Sequence, residues 1–189
     1  ASNWRDAYQG GISTIPATST WIVRQANSSV TLVAFGMYYG NLIIENTSSN
    51  AWNNSVAQTF QGATAPIIKG NLDIGGTGGN TVNFVNSVTA TTTVNGNLIV
   101  HSGNTLTLQG NTMNVVGSFT GGTSTASSVS GTGKLVLDGS GVQQLSGKTN
   151  FTTLRLDNSS GAQMQSGAVF GIYTALELGS GTFNVNSQS

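Results

Sequence analysis

The chain has 189 residues, enough for one or two domains with a buried core. Only 6% of its residues are charged, where an ordinary soluble domain has about a quarter, and six basic residues balance six acidic ones. This composition excludes the basic surface that nucleic acids and anionic membranes require. There is no cysteine, so disulfides and thiolate sites are excluded, and no apolar run approaches the roughly 18 residues of a membrane-spanning helix.

The first segment, Ala1–Thr20, shows no clear hydrophobic period and contains Trp4 and Tyr8. All three tryptophans lie within the first 52 residues, and large aromatic side chains are favoured in caps and interfaces. We interpret this region as an aromatic-rich cap or arm, with a subunit contact as the alternative. The residues expected in such an interface are Trp4, Tyr8, Trp21, Tyr38, Tyr39 and Phe183.

Strand-like runs follow from Trp21 onward, and several open with the phrase Gly-Asn-Leu, at Gly40–Leu42, Gly70–Leu72 and Gly96–Leu98. In Gly96–Phe119 three short runs alternate apolar and polar residues, and Gly, Asn and Ser fill the corners between them. Three strands turned by three corners predict one coil of a solenoid.

Later runs repeat the same Leu-x-apolar pattern. We align six leucines in one register, with an apolar residue two places after each: Leu42, Leu72, Leu98, Leu135, Leu154 and Leu176. One face of each strand is therefore predicted to lie in a continuous core, and recurrence at roughly 20–30 residues is typical of stacked repeats. We predict an all-β fold, a right-handed parallel β-helix (β-solenoid) over residues 21–189, preceded by the arm or cap of residues 1–20.

Three polar stretches are predicted as excursions or corners: Asn46–Pro66, Gly75–Asn80 and Gly121–Gly133. The last of these, residues 121–133, is the best candidate for a soft boundary within the solenoid. The final stretch, Gly181–Asn186, reads as a strand whose open edge could pair with another chain. We therefore expect the partners to be copies of this chain stacked head-to-tail, or further repeats of a longer chain.

The titratable groups are few. Glu45, His101, Asp138 and Asp157 each stand three places after an aligned leucine and could form a loose column. Asp138 and Asp157, on consecutive coils, could reach the separation of a glycosidase pair, but no aromatic platform accompanies them. We predict no catalytic residue, no metal ligand and no cofactor.

Two further surface features are predicted from the same alignment. Arg155 and Glu177 occupy equivalent outward places on consecutive coils, which predicts an ion pair between the coils. An ice-binding threonine face is disfavoured, because none of the places directly after the aligned leucines holds a threonine.

Two stretches of the sequence resemble a known class of repeat: VNGNLIVHSGNTLTLQGNTMNVVGSF (Val94–Phe119) and GTGKLVLDGSGVQQLSGKTNFTTLRLDNSSGA (Gly131–Ala162). They resemble the repeat regions of large secreted or surface proteins of Bacteroidota-type bacteria, similar in style to filamentous-haemagglutinin and autotransporter passengers. The resemblance implies an extracellular or cell-surface location and a structural or adhesive role, with surface glycans as a further class of partner.

We therefore expect a non-enzymatic extracellular structural protein: a stalk, a self-assembling fibre subunit or an adhesin segment. The alternative is a carbohydrate-binding or carbohydrate-cleaving β-helix, such as a phage tailspike fragment. The expected acidic, aromatic-lined groove of a tailspike is missing from the sequence.

Overall fold

The structure is a computed structural model that describes residues 16–25, 30–33, 38–46, 55–61, 65–77 and 79–185. Within these ranges every regular element is a β-strand. In chain order they are β1 (Thr20–Gln25), β2 (Val30–Val33), β3 (Tyr38–Tyr39), β4 (Asn41–Asn46), β5 (Ser55–Gln61), β6 (Ile67–Ile68), β7 (Leu72–Ile74), β8 (Thr81–Asn86), β9 (Thr92–Val94), β10 (Leu98–Val100), β11 (Thr105–Leu108), β12 (Thr112–Val115), β13 (Phe119–Thr120), β14 (Ser127–Gly131), β15 (Lys134–Leu137), β16 (Gln143–Ser146), β17 (Lys148–Asp157), β18 (Ala162–Met164), β19 (Val169–Ser180) and β20 (Phe183–Asn184).

The strands form three stacks, because each strand pairs in parallel with a strand of the next turn. The first stack is β1-β4-β7-β10-β13-β16-β18-β20. The second contains β2, β5, β8, β11 and β14, and the third contains β3, β6, β9, β12 and β15. Strands β17 and β19 are long enough to run through the second and third stacks without a corner. The predicted parallel β-solenoid is thus confirmed, with about six turns.

The turns differ in length although their strands stay in register. In the first stack, Trp21 and one residue of each later turn are successive register partners: Leu42, Leu72, Leu98, Phe119, Leu145 and Met164. The steps are therefore 21, 30, 26, 21, 26 and 19 residues. The extra residues of a longer turn lie at the corners, so the core is not interrupted.

The core runs along the solenoid axis and is built from alternate residues of all three stacks. Burial alternates along strands such as β8 and β11, where every second side chain is enclosed. The largest buried side chains include three phenylalanines: Phe84, Phe119 and Phe151. Phe119 and Phe151 pack with ring centroids 5.1 Å apart, and Phe170 lies 5.5 Å from Phe151, nearly edge-on.

The Gly-Asn phrases form a ladder at the corner before the first stack. Gly96 N–H donates to the carbonyl of Gly70 (2.9 Å), and Gly70 N–H donates to that of Gly40 (2.8 Å). The Oδ1 of Asn71 accepts the N–H of Asn97 at 2.8 Å, which continues the ladder with side chains. A Cβ on Gly96 would lie 2.6 Å from the backbone of Gly70, so the turns can stack this closely only because these residues are glycines.

The single register predicted for six leucines is wrong. Leu42, Leu72 and Leu98 pair with one another in the first stack. The other three leucines, of β15, β17 and β19, pair with one another in the third stack. The Leu-x-apolar phrase shows which side of a strand faces the core, but every stack uses the same phrase, so it does not identify the stack.

Two stretches predicted as polar excursions contain strands. β5 lies inside Asn46–Pro66, and β14 lies inside Gly121–Gly133. Both are rich in Ser, Thr or Gln and poor in large apolar residues, so their sequences carry little strand signal; the strands on either side supply the hydrogen-bond partners. The predicted arm, Ala1–Thr20, lies outside the described residues except for 16–20.

Candidate functional site: a charged array on the third stack

The outward residues of the third stack bring several charged and polar side chains together. Alternation along β12, β15, β17 and β19 points every second side chain away from the core. The strand register places Asn114, Val136, Arg155 and Glu177 in one row across four successive turns. Lys134 lies on one side of this row, and Asp138 and Asp157 lie on the other.

Five of the chain's twelve acidic and basic residues stand on this surface. We call them the charged array: Lys134, Asp138, Arg155, Asp157 and Glu177. On a protein with so few charges, five of them on one surface make the third stack a candidate site.

Glu177 is the acceptor that joins three turns of the array. Lys134 Nζ lies 2.8 Å from Glu177 Oε2 and 3.1 Å from Oε1, and Arg155 Nη1 lies 3.6 Å from Oε2. The hydrogen bond from Lys134 lowers the pKa of Glu177 below its ordinary value. The predicted contact between Arg155 and Glu177 is confirmed, although Lys134 provides the closer one.

Asp138 and Asp157, the two carboxylates that could reach the separation of a glycosidase pair, have different environments. Asp157 Oδ2 accepts a hydrogen bond from Arg155 Nη2 at 3.0 Å and is solvent-exposed. Asp138 Oδ2 accepts one from Asn114 Nδ2 at 2.7 Å, and its Oδ1 is enclosed without a hydrogen-bond partner. Burial raises the pKa of Asp138 above its ordinary value, with the nearby charge of Asp157 acting in the same direction. Asp138 is therefore partly enclosed by its neighbours, whereas Asp157 faces solvent.

A cleft of about 310 Å³ runs beside the array. We call it the side groove; it is lined by Thr112, Asn114, Lys134, Val136, Asp138, Arg155 and Asp157. Val136 points outward yet is only 6% exposed, because the longer polar side chains around it cover it. Six of the seven lining side chains can donate or accept hydrogen bonds. Unlike the groove expected of a tailspike, it has no aromatic lining residue.

The predicted column of four titratable residues is wrong, since Glu45 and His101 belong to the first stack. Glu45 is buried and pairs with Arg24, and its Oε2 accepts the N–H of Thr77 at 3.3 Å. His101 Nε2 lies 3.0 Å from Asp73 Oδ1. Asp73 Oδ1 also accepts the N–H of Gly76 at 3.0 Å. Glu45 and Asp73 therefore hold the turn around residues 75–77, and both serve the local fold.

A second feature is the apolar surface of β19, which we call the end surface. Its inward residues are Phe170, Ile172, Leu176 and Leu178, in register with buried residues one turn earlier. Leu154 and Leu156 are completely enclosed, whereas their partners Leu176 and Leu178 are 41% and 61% exposed. Among the described residues, β19 pairs with β17 alone. The end surface therefore has the form of a core that no described turn covers.

Two of the residues predicted for a subunit interface lie in the first and the last described strands. Trp21 and Phe183, in β1 and β20, are partly buried and pack against the core. Tyr38 and Tyr39 form β3, and their side chains are outside the described residues, as are Trp4 and Tyr8 altogether. Their role in an interface stays a prediction.

Sequence reasoning did not select Asn114, Lys134 or Val136. Each belongs to an unremarkable strand, and their neighbours in the side groove are about 20 residues away along the chain. The signal that could have found them is the correct turn-by-turn alignment of β12, β15, β17 and β19, which places polar residues in adjacent outward rows.

Comparison with protein-family models, with curated proteins and with solved structures gave no match. The described ranges contain no group of three His, Cys, Asp or Glu residues that could hold a metal ion. In the same ranges there is no helix of the length and apolarity needed to cross a bilayer. The resemblance to Bacteroidota-type surface proteins stays a prediction.

Proposed function

We propose that this chain is a non-enzymatic structural segment of an extracellular or cell-surface β-solenoid, acting as a stalk, a self-assembling fibre subunit or an adhesin segment. The observation that carries the proposal is the end surface, where no described turn covers the apolar residues Leu176 and Leu178 or the outer edge of β19. A surface of this kind accepts another parallel turn through backbone hydrogen bonds and through apolar contacts.

The body of the solenoid suits a mechanical role. Each turn is joined to the next by three rows of backbone hydrogen bonds, and the apolar core is one cluster from Val23 to Ala162. The Gly-Asn ladder adds a fourth row at one corner. A rod whose bonds repeat at every turn resists bending and protease access along its whole length.

The composition supports an extracellular location. The outward positions of the second stack hold small uncharged residues, such as Thr105, Ser128 and Asn150, which are only partly exposed. Such a neutral surface of Ser, Thr and Asn is typical of secreted and surface β-proteins and gives no electrostatic attraction to nucleic acid.

The occupant we propose for the end surface is the first turn of a second copy. All turns share the three-stack cross-section, so β1 of a second copy presents an edge with apolar residues at alternate positions, Trp21 and Val23. A head-to-tail contact of this kind is heterologous and does not close, so it produces a filament.

The test is sedimentation velocity of the purified chain over a range of concentrations, with negative-stain electron microscopy of the same samples. We expect species that grow with concentration and end-to-end filaments. Leu178→Lys, which places a charge on the end surface, should sediment as a monomer. Val116→Lys, at an exposed apolar position on the side of the rod, is the matched control and should assemble like the parent chain. A parent chain that is monomeric at every concentration would refute self-assembly.

A further inference from the structure

We propose that the side groove binds a neutral oligosaccharide whose chain runs along the solenoid axis. This gives the adhesive role proposed above a class of ligand, and to that extent it rests on the proposed function. It does not depend on stacking, because the groove lies on the side of the rod and the end surface lies at its tip.

The size and polarity of the groove fit a short stretch of sugar. Its volume of about 310 Å³ is at the lower end of the range found for small-molecule sites, roughly 300–1,000 Å³. The lining offers a hydroxyl from Thr112, an amide from Asn114 and the guanidinium of Arg155, together with the carboxylates. Ligands with a hydroxyl on almost every carbon are the ones that such a dense set of donors and acceptors can satisfy.

The charges of the groove argue against other ligands. Both cations of the groove, Lys134 and Arg155, already contact carboxylates. The lining holds two bases and two acids, and a third acid, Glu177, lies beside it. A phosphate or an acidic sugar would therefore have to compete with these carboxylates for both cations. The only apolar lining residue, Val136, is nearly enclosed, so a lipid would find no apolar floor.

The polar groups of the groove are held in place before a ligand arrives. Arg155 is fixed between Asp157 and Glu177, and Asn114 is fixed by Asp138. Arg155 has five N–H donors and Asp157 has about four lone-pair positions, so both retain capacity for sugar hydroxyls. Groups that are already ordered lose little conformational entropy on binding, which favours affinity.

The direction of the bound chain follows from the strand register. Asn114, Val136 and Arg155, which line the groove, belong to one row across three successive turns, and neighbouring strands lie about 4.8 Å apart. That spacing is comparable with the length of one hexose unit in an extended glycan. Successive sugar units can therefore meet successive turns.

The experiment is a titration of the full chain, by isothermal calorimetry and by NMR chemical shifts, with three neutral probes and one acidic probe. The neutral probes are cellohexaose, chitohexaose and mannohexaose, and the acidic probe is polygalacturonate. We expect saturable binding of at least one neutral probe. Asp157→Ala should weaken that binding about tenfold or more, which corresponds to the loss of about 1.4 kcal/mol. Thr105→Ala, on the second stack, is the matched control and should bind like the parent chain.

Two further measurements keep the outcomes separate. Circular dichroism of Asp157→Ala should show an intact fold, since the residue is exposed. Leu178→Lys, which blocks stacking, should still bind the sugar. No binding of any neutral probe, binding of polygalacturonate alone, or unchanged binding by Asp157→Ala would each overturn the proposal. A monomeric parent chain that binds sugar would refute the self-assembly and leave the glycan site standing.

Discussion

Replacing Gly96 with alanine should be among the most damaging single-methyl changes in this protein. Gly96 lies in the Gly-Asn ladder, where it donates to Gly70 O at 2.9 Å and accepts from Gly117 N–H at 3.0 Å. An added Cβ would lie 2.5 Å from Asn71 Oδ1 and 2.6 Å from the backbone of Gly70. Two of the three nearest atoms belong to the backbone of Gly70 in the preceding turn, and these cannot move aside alone, so the turns must separate at this corner.

The expected loss can be worked from these contacts. Forcing an extra methyl group into a packed site costs about 1–3 kcal/mol. Weakening the hydrogen bonds on either side of Gly96 adds about 1 kcal/mol for each bond lost. We therefore expect the free energy of unfolding to fall by about 2–4 kcal/mol. Gly141→Ala is the matched control, since a Cβ at Gly141 meets no atom within 4 Å; it should be neutral or stabilising by up to about 1 kcal/mol.

Equilibrium urea unfolding, followed by far-ultraviolet circular dichroism, measures both variants against the parent chain. The assay compares the midpoints and slopes, so a change in cooperativity is seen alongside the change in stability. If the free energies of unfolding of Gly96→Ala and Gly141→Ala differ by less than about 0.5 kcal/mol, the ladder does not restrict the spacing of the turns and the reasoning is wrong.

Three further predictions concern the core and the charged array. Phe151→Ala should lower the free energy of unfolding by about 3–5 kcal/mol in the same assay, because its side chain is completely buried. Phe170→Ala should lower it clearly less, because Phe170 is only partly buried. Equal losses in the two variants would contradict the packing described. Burial raises the pKa of Asp138, so the folded state holds this proton more tightly than the unfolded chain. Its contribution to stability is then complete below the ordinary pKa of an aspartate and is lost as the pH rises through the raised pKa. Asp138→Asn should flatten that part of the stability profile, and an unchanged slope between the two proteins would count against the shift. Lys134→Met should lower the free energy of unfolding by less than about 1 kcal/mol, and only at low salt, because the contact of Lys134 with Glu177 is partly exposed. A larger loss that persists in high salt would show that this ion pair is not screened.

The fold class could be predicted because the alternation of apolar residues and the corner residues Gly and Asn are local signals. Leu98–Val100, Leu106–Leu108 and Met113–Val116 were placed correctly to within a residue or two. β5 and β14 were missed for the opposite reason, since strands of Ser, Thr and Gln form here through pairing with their neighbours rather than through their own composition.

The candidate site depended on register, and register is not local. Asp138 and Asp157 were correctly predicted to lie on consecutive turns, because each directly follows a Leu-x-Leu phrase of the third stack. Glu45 and His101 follow the same kind of phrase in the first stack, so they were added to a column in which they do not lie. To predict the side groove, three strands must be aligned, β12, β15 and β17. The turns between them vary in length at the corners, where the sequence has no hydrophobic period to count by.

The uninterrupted strands β17 and β19 have a kinetic consequence. Their pairing extends from Lys148 to Asp157, with register shifts between Phe151 and Thr153 and between Leu156 and Asp157. It is the longest strand pairing among the described residues, and no corner has to close between the second and third stacks there. Closing a loop of about 20 residues is the entropic cost that every turn must meet before its contacts form. At β17 and β19 that one closure is followed by nine paired positions in a single strand pair, whereas every other strand pair of the second and third stacks has two to six. We expect nucleation of folding at this end, with the remaining turns added one after another toward β1.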